Sequence, residues 1–293
     1  MSFGGLKVLS LESRRAKEME TLIRREGGEP FVAPSVQERA LDDQRGALEF
    51  VDRLAAGEFD LVVCMTGAGL SFLRELAMAD TDNTRLPRLS EGLRKTFIVA
   101  RGPKPVPILR ELGARAHIVV PEPNTWKEVV AAVASRPERR VAVQEYGRPN
   151  PEMTAALEAL GATVTSFAIY RWELPSDREP LREAARRLAA REVDVVLFTS
   201  SIQLDHLFEI AREQNIEAEV LDALQRDVAV ASVGPIMTEA LLAVGLPVDI
   251  VPIHPKMAGL VKAAGEAAAA ALARKRTLPI AGRNCFGFTE PRL

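Results

Sequence analysis

Three hydroxyl residues stand where short apolar runs give way to helical periodicity: Thr66 after residues 61–65, and Ser200 and Ser201 after residues 193–199. Gly67 follows Thr66 directly, and Gly102 and Gly234 sit after two further runs, in Arg101-Gly102-Pro103 and Val233-Gly234-Pro235. Turns of this kind leave the N–H groups of a helix's first turn unpaired, and these attract an anion by about 0.3–1 kcal/mol when exposed. The same residue types also cap helices with no ligand involved. Cations flank the turns: Arg14, Arg101, Lys104, Arg148 and Lys256. Each is placed either to meet a carboxylate or to remain a solvated surface charge.

Other chemistries lack their residues. The two cysteines, Cys64 in an apolar run and Cys285, make neither a disulfide framework nor a zinc cluster, and His117, His206 and His254 have no ligand spacing. Gly67-Ala68-Gly69 has no third glycine where a dinucleotide site needs one, and neither a phosphate loop nor a nucleophile elbow occurs. With 38 basic and 40 acidic side chains the net charge is −2, which gives no global field for nucleic acid. An anionic ligand would have to be held by local geometry. No apolar run approaches the ~20 residues that span a bilayer, and residues 1–11 lack the pattern of a signal peptide. The expectation is a soluble, cytoplasmic protein with no membrane or nucleic-acid partner.

The elements that carry these turns alternate. Ten short β-rich runs (7–11, 29–33, 61–65, 96–100, 116–120, 141–145, 163–168, 193–199, 228–233 and 248–251) are separated by segments of helical period (14–26, 68–79, 103–112, 125–134, 151–160, 179–190, 202–213, 235–244 and 255–273). Strands separated by helices at this spacing predict parallel α/β sheets with right-handed crossovers. The punctuation also repeats at a nearly constant offset: Gly27 corresponds to Gly161, Thr66 to Ser200, Gly102 to Gly234 and Pro123 to Pro255. Two copies of five strands follow. They form either two consecutive domains cut near residues 135–140, or two sheets in which the first two strands of each copy complete the other copy's last three. The second arrangement needs chain crossings near residues 34–38 and 169–175, both Pro-bounded.

The strings Phe198-Thr199-Ser200-Ser201, Gly234-Pro235 with Ala240-Leu241 and Gly245-Leu246-Pro247, and Ile169-Tyr170-Arg171-Trp172 resemble uroporphyrinogen-III synthase. Arg101-Gly102-Pro103-Lys104-Pro105 and Leu112-Gly113-Ala114 look like the first-copy equivalents, and the resemblance runs from about Lys7 to Ala273. It implies the exchanged arrangement: two similar open parallel-sheet, flavodoxin-like domains joined by a two-stranded connector, with a cleft between them. The first domain would comprise 1–34 and 175–273, the second 39–167, and the connector 35–38 and 168–174. The stretch 274–293 is expected to form a tail.

The resemblance also implies the reaction, in which hydroxymethylbilane loses water and closes to a macrocycle with its last pyrrole inverted. No cofactor or metal is implied. The electron-rich pyrrole assists departure of the hydroxyl, so such a protein needs a proton donor at the leaving oxygen, donors for carboxylates, and a folded substrate. Tyr170 matches the tyrosine of the family's Val-Tyr motif and is the catalytic candidate. Arg14, Thr66, Gly67, Arg101, Gly102, Lys104, Arg148, Ser200, Ser201, Gly234 and Lys256 are the substrate-binding candidates. Arg171 is a further connector cation, and Trp172 either shields a pyrrole or packs the connector. The chain departs from the family where Met237 replaces a hydroxyl residue, with Thr238 one place later, and where Pro105 stands at the first-copy equivalent. The expected state is a monomer that acts on a linear tetrapyrrole handed over by hydroxymethylbilane synthase. The rival expectations are a non-catalytic tetrapyrrole-binding or regulatory protein and a periplasmic-type binding protein; the missing export signal argues against the latter.

Overall fold

The structure is a computed structural model that describes residues 2–81 and 83–277. Nine of the ten expected runs form strands, and two more arise where the crossings were read. In chain order these are β1 (Lys7–Ser10), β2 (Glu29–Val32), β3 (Gln37–Ala40), β4 (Leu61–Cys64), β5 (Phe97–Ala100), β6 (Ile118–Val119), β7 (Arg140–Gln144), β8 (Thr163–Phe167), β9 (Tyr170–Glu173), β10 (Val195–Phe198) and β11 (Ala229–Ser232). The run at 248–251 is the exception, since only Ile250 pairs, as an isolated parallel bridge to Ala231. Pro247 and Pro252 bracket it without N–H groups, and the Asp249 carboxylate accepts the Val230 N–H at 2.8 Å.

The chain forms two compact units: unit 1 runs to Val36 and resumes at Leu174, and unit 2 is Gln37–Glu173. Unit 1 holds the all-parallel sheet β2-β1-β10-β11, and unit 2 the all-parallel sheet β8-β7-β4-β5-β6. Of the two assemblies that the repeat allows, this is the exchanged one, because β1 pairs with β10 and β7 with β4. Each sheet has the strand order of a flavodoxin-like fold once strands are counted from β1 or from β7. Strands β3 and β9 pair antiparallel, with Gln37 opposite Glu173 and Ala40 opposite Tyr170.

One device fixes the pairing of the copies in both sheets. Asp60, just before β4, accepts the Arg140 N–H at 3.0 Å and donates its own N–H to the Arg140 carbonyl at 2.8 Å. Asp194, its counterpart in the second copy, does the same to Lys7, at 2.8 and 3.0 Å. Arg140 adds its guanidinium to the Asp60 carboxylate and holds that carboxyl down to about 2.

The β4 strand is wholly buried, as a parallel strand covered on both faces must be. Apolar clusters line the two faces of each sheet: one around Phe198, Leu207 and Leu224 and one around Met19, Ile23 and Leu260 in unit 1, with Phe50, Leu73 and Tyr170 against Met65, Val129 and Met153 in unit 2.

Three helices were not expected: Arg45–Ala55, Arg85–Lys95 and Glu217–Arg226. They share their interstrand intervals with other helices or with β3, where the sequence reading allowed one element each. The helix Met257–Thr277 continues past Ala273, so the expected tail does not begin at residue 274. Lys275, near the end of this helix, is buried and donates to the carbonyls of Leu224 (2.8 Å) and Val228 (2.5 Å) and to Asp249 Oδ2 (2.8 Å). The rest of the expected tail, residues 278–293 with Cys285, lies outside the described residues.

Candidate functional site

In unit 2 the candidate residues gather at the C-terminal ends of β4, β5 and β7, where an open parallel sheet presents its turns. Thr66 is the N-cap of the helix Gly67–Met78, with extended backbone and Oγ1 accepting the Gly69 N–H at 3.0 Å. The same oxygen lies 3.2 Å from the phenol oxygen of Tyr170. Tyr170 is 1% exposed, and its ring stacks on Phe72 with centroids 5.6 Å apart.

The turns after β4 and β5 touch. A Cβ on Gly67 would lie 2.6 Å from the Lys104 carbonyl oxygen, so only glycine lets the two loops approach this closely. Gly102 has φ +136, a backbone that other residues rarely adopt, and a Cβ there would meet Asn124 at 2.8 Å. Lys104 directly precedes a helix that starts at Pro105; its side chain is exposed. Arg148 is exposed beside Glu145, Asn150 and Met153.

Arg101 is the distinctive cation of this unit. Its guanidinium lies over the Tyr146 ring, 4.8 Å from the centroid, and it forms no salt bridge with any carboxylate among the described residues. Loss of hydration lowers its pKa, partly opposed by Tyr146 and Tyr170 nearby. Tyr146 in turn meets Trp172 edge-on at 5.7 Å and accepts a hydrogen bond from Asn150 at 3.1 Å. Trp172 covers Gly147, where a Cβ would lie 2.5 Å from the indole. Its packing role is therefore direct. Arg171 is engaged by Glu173 and Asp42, and Cys64 is fully buried with its thiol pushed up to about 12 by lost hydration, so neither is placed as a ligand-binding cation or a thiolate.

Unit 1 carries the second group of candidates. Ser200 caps the helix Ser201–Glu213, and its N–H donates to Gln203 Oε1 at 3.2 Å. Gly234 is extended at φ 171, with Pro255 3.0 Å from a would-be Cβ. Arg14 and Lys256 are exposed on their turns. The displaced hydroxyl of Thr238 turns inward and donates to Ser232 Oγ at 2.9 Å, while Met237 is buried. One residue of register thus puts the apolar side chain into the core. Ser200, Ser201 and Gly234 share one sheet end, as Thr66, Gly67, Arg101, Gly102 and Lys104 do in unit 2.

The sequence reading missed two buried amides. Gln144 ends the otherwise apolar β7; its Oε1 accepts the Thr66 N–H at 3.1 Å, and its Nε2 donates to the Glu145 carbonyl and, at 3.5 Å, to Thr66 Oγ1. Gln203 accepts the N–H groups of Thr199 and Ser200 and donates to the Leu11 carbonyl at 3.1 Å. Each amide ties an end of one copy's strand to the other copy. A polar residue closing a buried run, and Ser-x-x-Gln at a helix start, were the available signals.

Residues 17–262 match the model of the family described as uroporphyrinogen-III synthase HemD. The chain is 27% identical over 259 residues to the uncharacterized protein YjjA of Bacillus subtilis, covering 88% of this chain and 94% of the relative. It is 31% identical over 230 residues to a Methanothermobacter thermautotrophicus protein named "Putative uroporphyrinogen-III synthase", covering 78% and 85%. Among solved structures, a mutant uroporphyrinogen III synthase of Thermus thermophilus superposes with TM-score 0.65 at 26% identity, over 88% of this chain and 96% of that one.

Proposed function

Because the chain belongs to the uroporphyrinogen-III synthase family, we propose that it cyclises hydroxymethylbilane to uroporphyrinogen III, losing water and inverting the last pyrrole ring. The observation that carries the reading is the phenol of Tyr170 held 3.2 Å from the capping hydroxyl of Thr66, at a strand end that also holds the cation Arg101. The pyrrole nitrogen drives the hydroxyl out, and Tyr170 donates a proton or hydrogen bond to the departing oxygen. Its hydroxyl, buried in this structure, must be uncovered when substrate binds. Arg101 and the N–H groups of the turn at Gly67 take substrate carboxylates in one unit. In the other, the turns at Ser200, Ser201 and Gly234 do so, with Arg14 and Lys256 as its outer cations and Lys104 and Arg148 as those of the first. Binding by many donors holds the rings so that closure passes through a spiro intermediate rather than the simpler uninverted route. The chain works as a monomer, without a cofactor, on bilane released by hydroxymethylbilane synthase.

A coupled assay that supplies hydroxymethylbilane and separates isomers I and III tests this. Wild-type chain should yield isomer III. Tyr170→Phe keeps the ring stacking and should lower turnover by about tenfold to a hundredfold, the low end of general acid assistance, with melting little changed. Isomer I alone from the wild type, together with saturable tetrapyrrole binding, would replace the enzyme with a binding protein. A folded Tyr170→Phe with wild-type turnover would leave Tyr170 as a packing residue.

A further inference from the structure

The contacts of Thr66 bear on which way its bond to Tyr170 points. Its hydroxyl has one proton and two acceptor sites. One site takes the Gly69 N–H at 3.0 Å, which a backbone amide can only donate. The other faces Gln144 Nε2 at 3.5 Å, a long contact whose polarity is set elsewhere. Gln144 Oε1 receives the Thr66 N–H at 3.1 Å, and this turns the NH2 group toward Thr66 Oγ1 and the Glu145 carbonyl. With both acceptor sites facing donors, the Thr66 proton is left for the phenol oxygen of Tyr170.

We propose that Gln144 is a positioning residue that makes Thr66 the donor to Tyr170, so that the Tyr170 proton is not spent on Thr66. The inference rests on the reading of Tyr170 as the group that assists the leaving hydroxyl. Local packing is built around this amide. Gln144 is fully buried, and Gly69 opposes it so closely that a Cβ would lie 2.1 Å from Nε2. The amide is what holds both Thr66 groups, one by accepting and one by donating.

The direction can be read without turnover. Tyr146 and Tyr170 are the only tyrosines, so Tyr146→Phe leaves a single reporter. The intensity ratio of the tyrosine Fermi doublet in its Raman spectrum separates an accepting phenol oxygen from a donating one. In that background the parent should show an accepting phenol, and Gln144→Leu should move the ratio toward a donating one. Gly69→Ala, which displaces the amide without removing it, should do the same. In otherwise wild-type chain both substitutions should lower kcat about tenfold while changing KM less than twofold, the pattern of an interaction needed in the transition state. A donating phenol in the parent would overturn the proposal, as would a ratio that neither substitution moves. Gly69→Ala guards against a Gln144→Leu chain that fails to fold. If Tyr170→Phe turns over like wild type, the catalytic reading falls, while the Raman comparison still decides the direction of the bond.

Discussion

Replacing Asp60 by Asn removes one charge from the staple that joins β4 to β7 and should alter stability only above a definite pH. The Arg140 guanidinium and two backbone N–H groups hold the Asp60 carboxyl at about 2, against 3.8 for the free side chain. A carboxyl depressed in the folded state stabilises fully above its unfolded value, and that stabilisation fades as the pH falls through the folded one. The shift corresponds to roughly 2.4 kcal/mol at 1.36 kcal/mol per unit. The side chains of Asp60 and Arg140 are 32% and 54% exposed, and solvent screening reduces this to about 1 kcal/mol.

Asp60→Asn should therefore cost about 1 kcal/mol at neutral pH and converge on wild type as the pH falls from about 4 toward 2. Trp126 and Trp172 are the only tryptophans and both belong to unit 2, so their fluorescence during urea unfolding reports the unit that holds the staple. Arg140→Gln should behave alike, and the double variant should add little, because the two partners share one interaction. A cost that stays constant across this pH range would refute the ionic account and leave only the hydrogen bond to the Arg140 N–H.

Lys275→Met strands the largely buried Asp249 carboxylate and two carbonyls, so unit 1 should lose about 3–5 kcal/mol, measured by calorimetry; Asp249→Leu added to it should recover much of the loss. Arg101→Gln removes a cation that has no ion pair to lose among the described residues, so KM for the bilane should rise about tenfold, worth about 1.4 kcal/mol, with melting unchanged; an unaltered KM would remove Arg101 from the site. Gly67→Ala forces a Cβ against the Lys104 carbonyl, and pushing the two turns apart should cut kcat/KM about a hundredfold, scored by isomer-III formation.

What the sequence made legible was local. Apolar runs such as Leu61-Val-Val-Cys64 became strands because four consecutive buried side chains suit a sheet covered on both faces, and Thr66 became a cap because its hydroxyl follows such a run. The exchanged pairing was not decidable from the repeat, since all of unit 2 intervenes between β1 and its partner β10 and no local pattern encodes a partner so distant. The burial of Lys275 was hidden for the same reason: a cation at a helix end suits the helix dipole, but Asp249 and two carbonyls, remote in sequence, surround it. Gln144 and the Arg101–Tyr146 contact escaped because each gains meaning only once β4, β5 and β7 lie side by side.

The antiparallel pair β3–β9 has a consequence for how the molecule is made. It places Gln37, where unit 2 begins, opposite Glu173, where it ends, so that unit is an insert whose two ends meet in its own ribbon. A chain emerging from the ribosome completes the whole of unit 2 before β10 exists. Strands β1 and β2 meanwhile wait with an unfilled edge, because their partner β10 lies beyond the insert. Unit 2 can close as soon as it is synthesised, and unit 1 can close only afterwards. Assembly thus has a built-in order, and the waiting β1–β2 segment is the stretch most exposed to mispairing and to capture by chaperones.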